Sequence, residues 1–159
     1  MPLSTSALVR LRHQHETIRE LVGDLSEQQL RRTVNAGKWS AFDNIAHLAC
    51  YQGVFLVRLE RIQMETSPAF DAYVADTDPN FSSYQHGSLQ HSLHSIDSRR
   101  AVLLNKLEGM SEVELQRTAS HPRHGLLDTA HWTEFFLLHE AHHLYTLFSL
   151  IQGLRKHLQ

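Results

Sequence analysis

The sequence is poor in cysteine, proline and glycine, and it has no long apolar run. It holds one cysteine, Cys50, which excludes an internal disulfide and agrees with a reducing cytosol. We interpret Cys50 as a small buried side chain rather than as a nucleophile. No stretch is apolar over the roughly 18 residues that a membrane span needs, and the first residues lack the pattern of a signal peptide. These features predict a cytoplasmic protein without a membrane segment.

Basic residues are too few and too scattered to form a surface for nucleic acid. The chain has 15 lysines and arginines against 17 acidic residues, and its formal net charge is -2. Because phosphate binding needs basic side chains gathered on one face, nucleic-acid binding is disfavoured and a small molecule is the expected partner. The 159 residues, of which 42% are hydrophobic and 20% charged, predict one globular domain over residues 1–159.

Histidine is the residue type in excess. The chain has 13 histidines, and they are dispersed along it rather than gathered at one end as in an affinity tag. Histidine is the most common metal ligand in proteins. Most of these residues are expected on the surface, so their positions within the predicted helices decide which of them could bind a metal.

Apolar residues recur at helical spacing in four long segments. The predicted long helices cover residues 5–22, 40–65 and 88–107, and a fourth runs from a cap at Asp128 or Thr129 to residue 152, with Gly153 just beyond its end. Short helical turns are predicted at 26–30, 70–74 and 111–114, and no segment alternates as a strand does. The pattern predicts an all-α four-helix bundle. The long connection over residues 66–87, between the second and third long helices, favours a crossover over a simple up-down-up-down order.

Two histidines of the fourth helix form a pair that can chelate a metal. His139 and His143 are four residues apart, so their imidazoles lie on one face, and they share that face with apolar residues such as Trp132. Unsatisfied polar groups inside a core cost roughly 1–3 kcal/mol each, so the pair needs a partner. A metal is one such partner, and a hydrogen bond to each other or to a neighbouring helix is the alternative.

A third histidine strengthens the metal interpretation. His47 lies on the inward face of the second helix, and a crossed or antiparallel arrangement of the helices can bring it opposite the pair. Three imidazoles match the ligand set of an open catalytic zinc site, in which water takes the remaining position. His142, three residues after His139, could replace His143. His91 and His94 lack a third partner and are expected in solvent.

Four further residues have two interpretations each. Asp43 precedes His47 by one turn and could orient an imidazole or a bound water, or it could interact with the helix dipole. His121, in the loop before the fourth helix, could belong to the pocket or have a structural role. Arg58 needs either an acidic partner, the simpler expectation, or the carboxylate of a substrate. Trp39 is interpreted as a packing anchor at the start of its helix.

These residues also carry a resemblance to a known family. The matching features, in chain order, are Lys38-Trp39-Ser40 with His47-Leu48 eight residues after the tryptophan, Phe55-Leu56-Val57-Arg58-Leu59, Arg100 with Leu103-Leu104 and Leu107, His121-Pro122 with Gly125, and His139-Glu140-Ala141-His142-His143. In these features the chain resembles the DinB/YfiT-like superfamily, in its larger group of DinB-like domain proteins. Glu140, where the family often has Asp, and Thr146, where it often has Gln, depart from the pattern.

The resemblance implies a fold, a site and a class of chemistry. It implies a four-helix bundle of up-down-down-up order with a divalent metal on His47, His139 and His143. Members with assigned activities resemble thiol transferases and isomerases, others are only called hydrolases, and members resemble homodimers. We therefore expect a metal-dependent enzyme that activates a low-molecular-weight thiol for S-transfer. The alternatives are a hydrolase that uses metal-bound water and a stress-related metal-binding protein without catalysis.

The expected cofactor is a divalent metal, and the candidates for a catalytic group beside it are few. Zinc fits three nitrogen ligands best, and nickel can occupy the same site. The reacting group is expected to be a metal-bound water or thiol, with Asp43 and His121 as the protein candidates. A low-molecular-weight thiol is the expected second cofactor.

Overall fold

The computed structural model describes residues 3–156, most of which are helical. The helices are α1 (Thr5–His13), α2 (Thr17–Val22), α3 (Glu27–Leu30), α4 (Ala41–Met64), α5 (Pro79–His86), α6 (Leu89–Glu108), α7 (Glu112–Leu115) and α8 (Thr129–Lys156). Two short strands, β1 (Thr118–His121) and β2 (Gly125–Asp128), form an antiparallel hairpin before α8. Within the described residues no helix is both long enough and apolar enough to cross a membrane.

Four long helical segments form a bundle of up-down-down-up order. The first segment is α1 and α2 together, and the other three are α4, α6 and α8. Residues in contact between α4 and α6 increase in number in the same direction: Ala49 pairs with Arg99, and Glu60 pairs with Lys106. These two helices are therefore parallel. On α4 and α8 the pairs run in opposite senses, from Asn44 with His143 to Gln63 with Thr129, so the helices are antiparallel.

Side-chain caps set where the long helices begin. Ser40 accepts the backbone N–H of Asp43, and the Asp43 carboxylate in turn accepts the backbone N–H of Ser40, which is a capping box at the start of α4. Asp128 caps α8 by accepting the backbone N–H of His131. These caps fix the first turn of each helix that carries a histidine of the candidate site.

The core has two apolar clusters that meet on α4 and α8. On α4, the first cluster ends at Cys50 and the second begins at Tyr51. On α8, the second cluster ends at Leu137 and the first begins at Leu144. Both boundaries fall at the same level of the bundle, and that level holds the three histidines described below.

The structure corrects three of the predicted elements before α8. Residues 70–74 have no regular secondary structure, and Phe70 donates its backbone N–H to the carbonyl of Ser120 in the hairpin instead of to a helical turn. The short helix of this connection is instead α5, with a 3-10 turn at Ala75–Thr77 before it. A 3-10 turn at Gln14–Glu16 divides the first long helix, and the hairpin occupies a stretch in which no strand was predicted.

The predicted end of the last helix is also wrong. Helix α8 continues through Gly153 to Lys156. A Cβ atom on Gly153 would lie 2.9 Å from Cγ1 of Val34. Glycine at this position allows the helix to pass close to the loop that holds Val34, and it does not terminate the helix.

Candidate metal centre

The antiparallel packing of α4 and α8 brings together three histidines. The Nε2 atoms of His47 and His139 are 3.1 Å apart. The ring centroid of His143 is 4.4 Å from that of His47 and 4.7 Å from that of His139. One nitrogen from each ring can be chosen so that all three lie within 4.8 Å of one another.

The three imidazoles are neutral because they lie inside the bundle. Burial lowers the pKa of His47 to about 4. Burial also lowers the pKa of the other two rings, to about 2 for His139 and about 3 for His143. Repulsion between neighbouring histidines adds to the effect of burial at both rings. Neutral imidazoles keep a free lone pair, which is the form that binds a metal.

Hydrogen bonds fix one of the three rings. Nδ1 of His143 lies 3.0 Å from Oδ1 of Asn44, a residue one turn before His47. Because an amide oxygen only accepts, Nδ1 of His143 carries the proton and its Nε2 keeps the lone pair. The Nδ1 atoms of His47 and His139 are buried and have no hydrogen-bond partner among the described residues.

The geometry fits a metal ion with three nitrogen ligands. Three nitrogens at about 2.1 Å from one zinc ion in tetrahedral geometry lie roughly 3.4 Å from one another. The 3.1 Å between the Nε2 atoms of His47 and His139 is close to that value. Since the three ligand nitrogens already lie within 4.8 Å of one another, small movements of the side chains would bring all three to the distances of a zinc site. No carboxylate or thiol joins the cluster within the described residues, so the protein supplies three neutral ligands there.

Aromatic side chains surround the three imidazoles. The ring of Trp39 lies 5.1 Å from that of His47, and the ring of Tyr51 lies 4.1 Å from that of His139. Tyr73, from the long connection, lies 5.9 Å from His47. These rings exclude water from the sides of the cluster, which strengthens the electrostatic interactions inside it.

The cluster opens onto a cavity of about 340 Å³. Besides the three histidines and the aromatic residues just named, its walls include Arg58, Asp76 and His121. The indole N–H of Trp39 donates to Asp76 over 3.3 Å. A cavity of this size suits a small organic molecule, since ligand pockets in proteins begin at roughly 300 Å³.

The hairpin places His121 on the wall of this cavity. Gly125, with φ of 71°, supplies the left-handed turn that brings β2 back against β1. Nδ1 of His121 accepts the backbone N–H groups of Arg123 and His124, so the proton of the neutral ring is on Nε2. Burial, followed by the charges of His124, Arg58 and Arg123, lowers the pKa of His121. The neutral ring is therefore a hydrogen-bond donor.

The structure leaves the other predicted residues outside the group of three histidines. Asp43 binds Ser40 in the helix cap and accepts the side chain of Gln85 over 3.0 Å, and it does not line the cavity. His142 is exposed, and although its ring lies 5.3 Å from that of His143, it is not one of the three histidines whose nitrogens come together. His91 and His94 are exposed on α6.

Some residues around the cluster had no predicted role. Asn44 and Tyr51 share the inward face of α4 with His47, and their spacing indicated that face but not their contacts with α8. Tyr73 lies in a connection without a periodic pattern, and no signal in the sequence indicates its position. Glu140, beside His139 in the sequence, points to the other side of α8, where it pairs with the buried Arg100.

The fold and the cluster together define a four-helix bundle with a candidate metal centre between two of its helices. The family model of the DinB superfamily matches residues 10–147, and the chain belongs to this superfamily. No curated protein sequence matches the chain.

Two solved structures are similar to the chain over most of its length. YfiT from Bacillus subtilis superposes with a TM-score of 0.79 at 16% identity, and the match covers 96% of this chain and 86% of the YfiT chain. YfiT is described as a probable metal-dependent hydrolase with an unusual four-helix bundle topology. TT2238, a four-helix bundle protein, superposes with a TM-score of 0.58 at 23% identity, and the match covers 91% of this chain and 97% of the TT2238 chain. At these identities the comparisons establish the fold.

Proposed function

We propose that this protein is an enzyme that uses a divalent metal on His47, His139 and His143 to act on a small molecule. The observation that carries the proposal is the cluster of three neutral imidazoles that faces a cavity of about 340 Å³. Zinc is the proposed metal because it suits three nitrogen ligands with one position left open. Nickel is the second candidate metal, because the Irving–Williams order gives it an affinity for imidazole ligands comparable with that of zinc.

The proposed reaction is S-transfer from a low-molecular-weight thiol. A divalent ion in this site would lower the pKa of a thiol or a water molecule that reaches it and make it a nucleophile at neutral pH. Few groups in the described lining of the cavity can accept a proton: His121 presents its N–H, and the single carboxylate, that of Asp76, is exposed and accepts the Trp39 indole N–H on Oδ1. A thiol is the easier nucleophile under these conditions because it is much more acidic than water.

Hydrolysis is the second candidate. It is supported by the likeness to YfiT, which is described as a probable metal-dependent hydrolase. A metal-binding role without catalysis, for example in a stress response, is less well supported, because structural metal sites in proteins are closed by four protein ligands. The cluster contains three among the described residues.

Metal analysis tests the ligand set. We expect about one metal ion per chain in the untagged protein and a large loss in His47→Ala, His139→Ala and His143→Ala, because each substitution removes one of three ligands. His142→Ala is the matched control, since it removes an exposed histidine of the same helix and should keep the metal. Unchanged stoichiometry in all three ligand variants contradicts the proposed site.

A turnover screen tests the reaction. The zinc-loaded protein is incubated with glutathione, bacillithiol or mycothiol and an electrophile, and free thiol is followed over time. We expect consumption with one of the thiols in the wild type and in His142→Ala, and none in His139→Ala. No consumption with any thiol, together with cleavage of ester or amide substrates, favours the hydrolase instead.

A further inference from the structure

Two arginines are buried in the described part of the chain, and only one of them has a counter-ion. Arg100 is 2% exposed and forms an ion pair with the buried Glu140. Arg58 is 8% exposed and forms no ion pair with any described carboxylate. A buried charge is costly unless it is paired, so the guanidinium of Arg58 is a cation without its anion.

The contacts of Arg58 leave most of its donors free. Nη2 donates to the backbone carbonyl of Asp71 over 2.8 Å, and Nη1 donates to the hydroxyl of Tyr51 over 3.3 Å. A guanidinium has five N–H donors, so three remain without an acceptor among the described residues. The rings of Phe70 and Trp132 lie 5.4 and 5.6 Å from its central carbon and hold the planar group in place.

Arg58 lines two cavities, one of about 680 Å³ and the cavity of the three histidines. Its partner Tyr51 also lines the cavity of the three histidines and has its ring 4.1 Å from the ring of His139. The hydroxyl of Tyr51 accepts from Arg58 and keeps its own proton for a second acceptor. His121, on the same wall, offers its Nε2–H. The one acidic residue in the described lining of this cavity, Asp76, accepts the indole N–H of Trp39.

We propose that this wall of the cavity binds the carboxylate of the substrate. Arg58 is the charged donor, His121 and Tyr51 are the neutral ones, and the reacting end of the same molecule lies at the three histidines. The inference rests on the proposed function and adds the substrate class, a small organic acid. A planar carboxylate matches the two parallel N–H bonds that a guanidinium can make.

The test compares thiol acids with their uncharged amides. The probes are ω-mercaptoalkanoic acids of two to six carbons, and binding to the cobalt-loaded protein is followed by the absorption band that appears when a thiolate binds cobalt. We expect one chain length at which the acid binds the wild type at least about 10-fold more tightly than its amide, since hydrogen bonds to ionised groups are roughly twice as strong as neutral ones. In Arg58→Gln the ratio should fall to about one, while the amide binds as before.

Two further variants make the result specific. Arg61→Gln is the matched control, because Arg61 is exposed on the same helix and is paired with Glu65, and it should keep the wild-type ratio. Arg58→Lys keeps the positive charge but lacks the planar guanidinium, so it should retain part of the preference for the acid over the amide. It replaces Arg58→Gln in the test if that variant does not fold.

The outcomes separate this inference from the proposed function. A wild type without metal overturns the proposed function, and the inference falls with it. A metal-loaded wild type that binds every acid and amide equally overturns the carboxylate site alone. An Arg58→Gln or Arg58→Lys protein that keeps the full wild-type preference overturns the role of Arg58.

Discussion

Among the described residues, Asn44 is the one side chain outside the cluster that forms a hydrogen bond with one of its imidazoles. Its Oδ1 accepts Nδ1–H of His143, and its Nδ2 donates to the carbonyl of Ser40 over 2.9 Å. The second bond prevents the amide from turning its nitrogen towards the histidine. Hydrogen bonds of this kind set the tautomer of a ligand and raise its basicity.

Removal of this amide should weaken metal binding without removing a ligand. We expect Asn44→Ala to lower the affinity for zinc by about 10- to 100-fold, the usual effect of losing such a partner. The measurement is a competition titration with a chromophoric chelator. Asn105→Ala removes an exposed asparagine from α6 and should leave the affinity unchanged. An Asn44→Ala protein with wild-type affinity would show that His143 needs no fixed tautomer.

At the scale of single residues, the sequence predicts which face of a helix a side chain occupies and not what it touches. The four-residue spacing of His139 and His143 places both rings on one face, which the apolar residues around them mark as inward. His47 was assigned to the site more by the resemblance to the family than by periodicity. The contact of Asn44 with His143 depends on the register of α4 against α8, which no spacing within one helix encodes. For Arg58, an acidic partner was the simpler expectation, and the structure shows none among the described residues.

At the scale of elements, Gly153 shows how packing overrides a local signal. A glycine after the last apolar residue typically marks a helix end, and the sequence predicted one here. The helix instead continues, because its close approach to Val34 leaves no room for a Cβ atom. The hairpin was missed for a related reason: four-residue strands without alternation are held by bonds to distant residues, such as that from the Trp132 indole to the carbonyl of Ala119.

This explanation of Gly153 predicts opposite effects of one substitution in two backgrounds. Alanine favours a helix over glycine by about 1 kcal/mol, whereas overpacking costs typically 1–3 kcal/mol. Because the side chain of Val34 is branched and stiff, we expect the clash to dominate, so Gly153→Ala should lower the free energy of unfolding by about 1 kcal/mol. Denaturation with urea measures the change.

Val34→Ala provides the matched background for that measurement. It removes the Cγ atoms that a Cβ atom on residue 153 would meet. In this background Gly153→Ala should raise the free energy of unfolding by up to about 1 kcal/mol, because only the helix propensity remains. The same destabilisation in both backgrounds would mean that contact with Val34 is not the reason for the glycine.

At the scale of the whole molecule, the three histidines join the two apolar clusters of the core. They lie where both clusters end on α4 and α8, and they replace apolar packing there with neutral imidazoles. The parallel arrangement of α4 and α6 requires the long crossover that the sequence indicated. An ion bound by His47 and the α8 pair would therefore stabilise the contact between two antiparallel helices.

The lowered pKa values of these histidines predict how that stabilisation depends on pH. Zinc at about 100 times its dissociation constant should raise the melting temperature by about 5–10 °C at pH 7.5. Ligands with an ordinary pKa of about 6.5 would lose roughly 1000-fold in affinity at pH 5.5, since each would be mostly protonated. The pKa values of about 4, 2 and 3 leave all three rings neutral there.

We therefore expect the zinc-induced shift in melting temperature to persist at pH 5.5, measured by calorimetry at both pH values. The metal-free protein behaves oppositely: its stability is complete above pH 6.5 and falls as the pH drops towards 4, because over this range only the unfolded chain takes up protons on these residues. His142→Ala should keep the zinc shift at both pH values, and His139→Ala should lose it at either pH. A zinc shift that vanishes at pH 5.5 in the wild type would mean that the rings protonate as exposed histidines do.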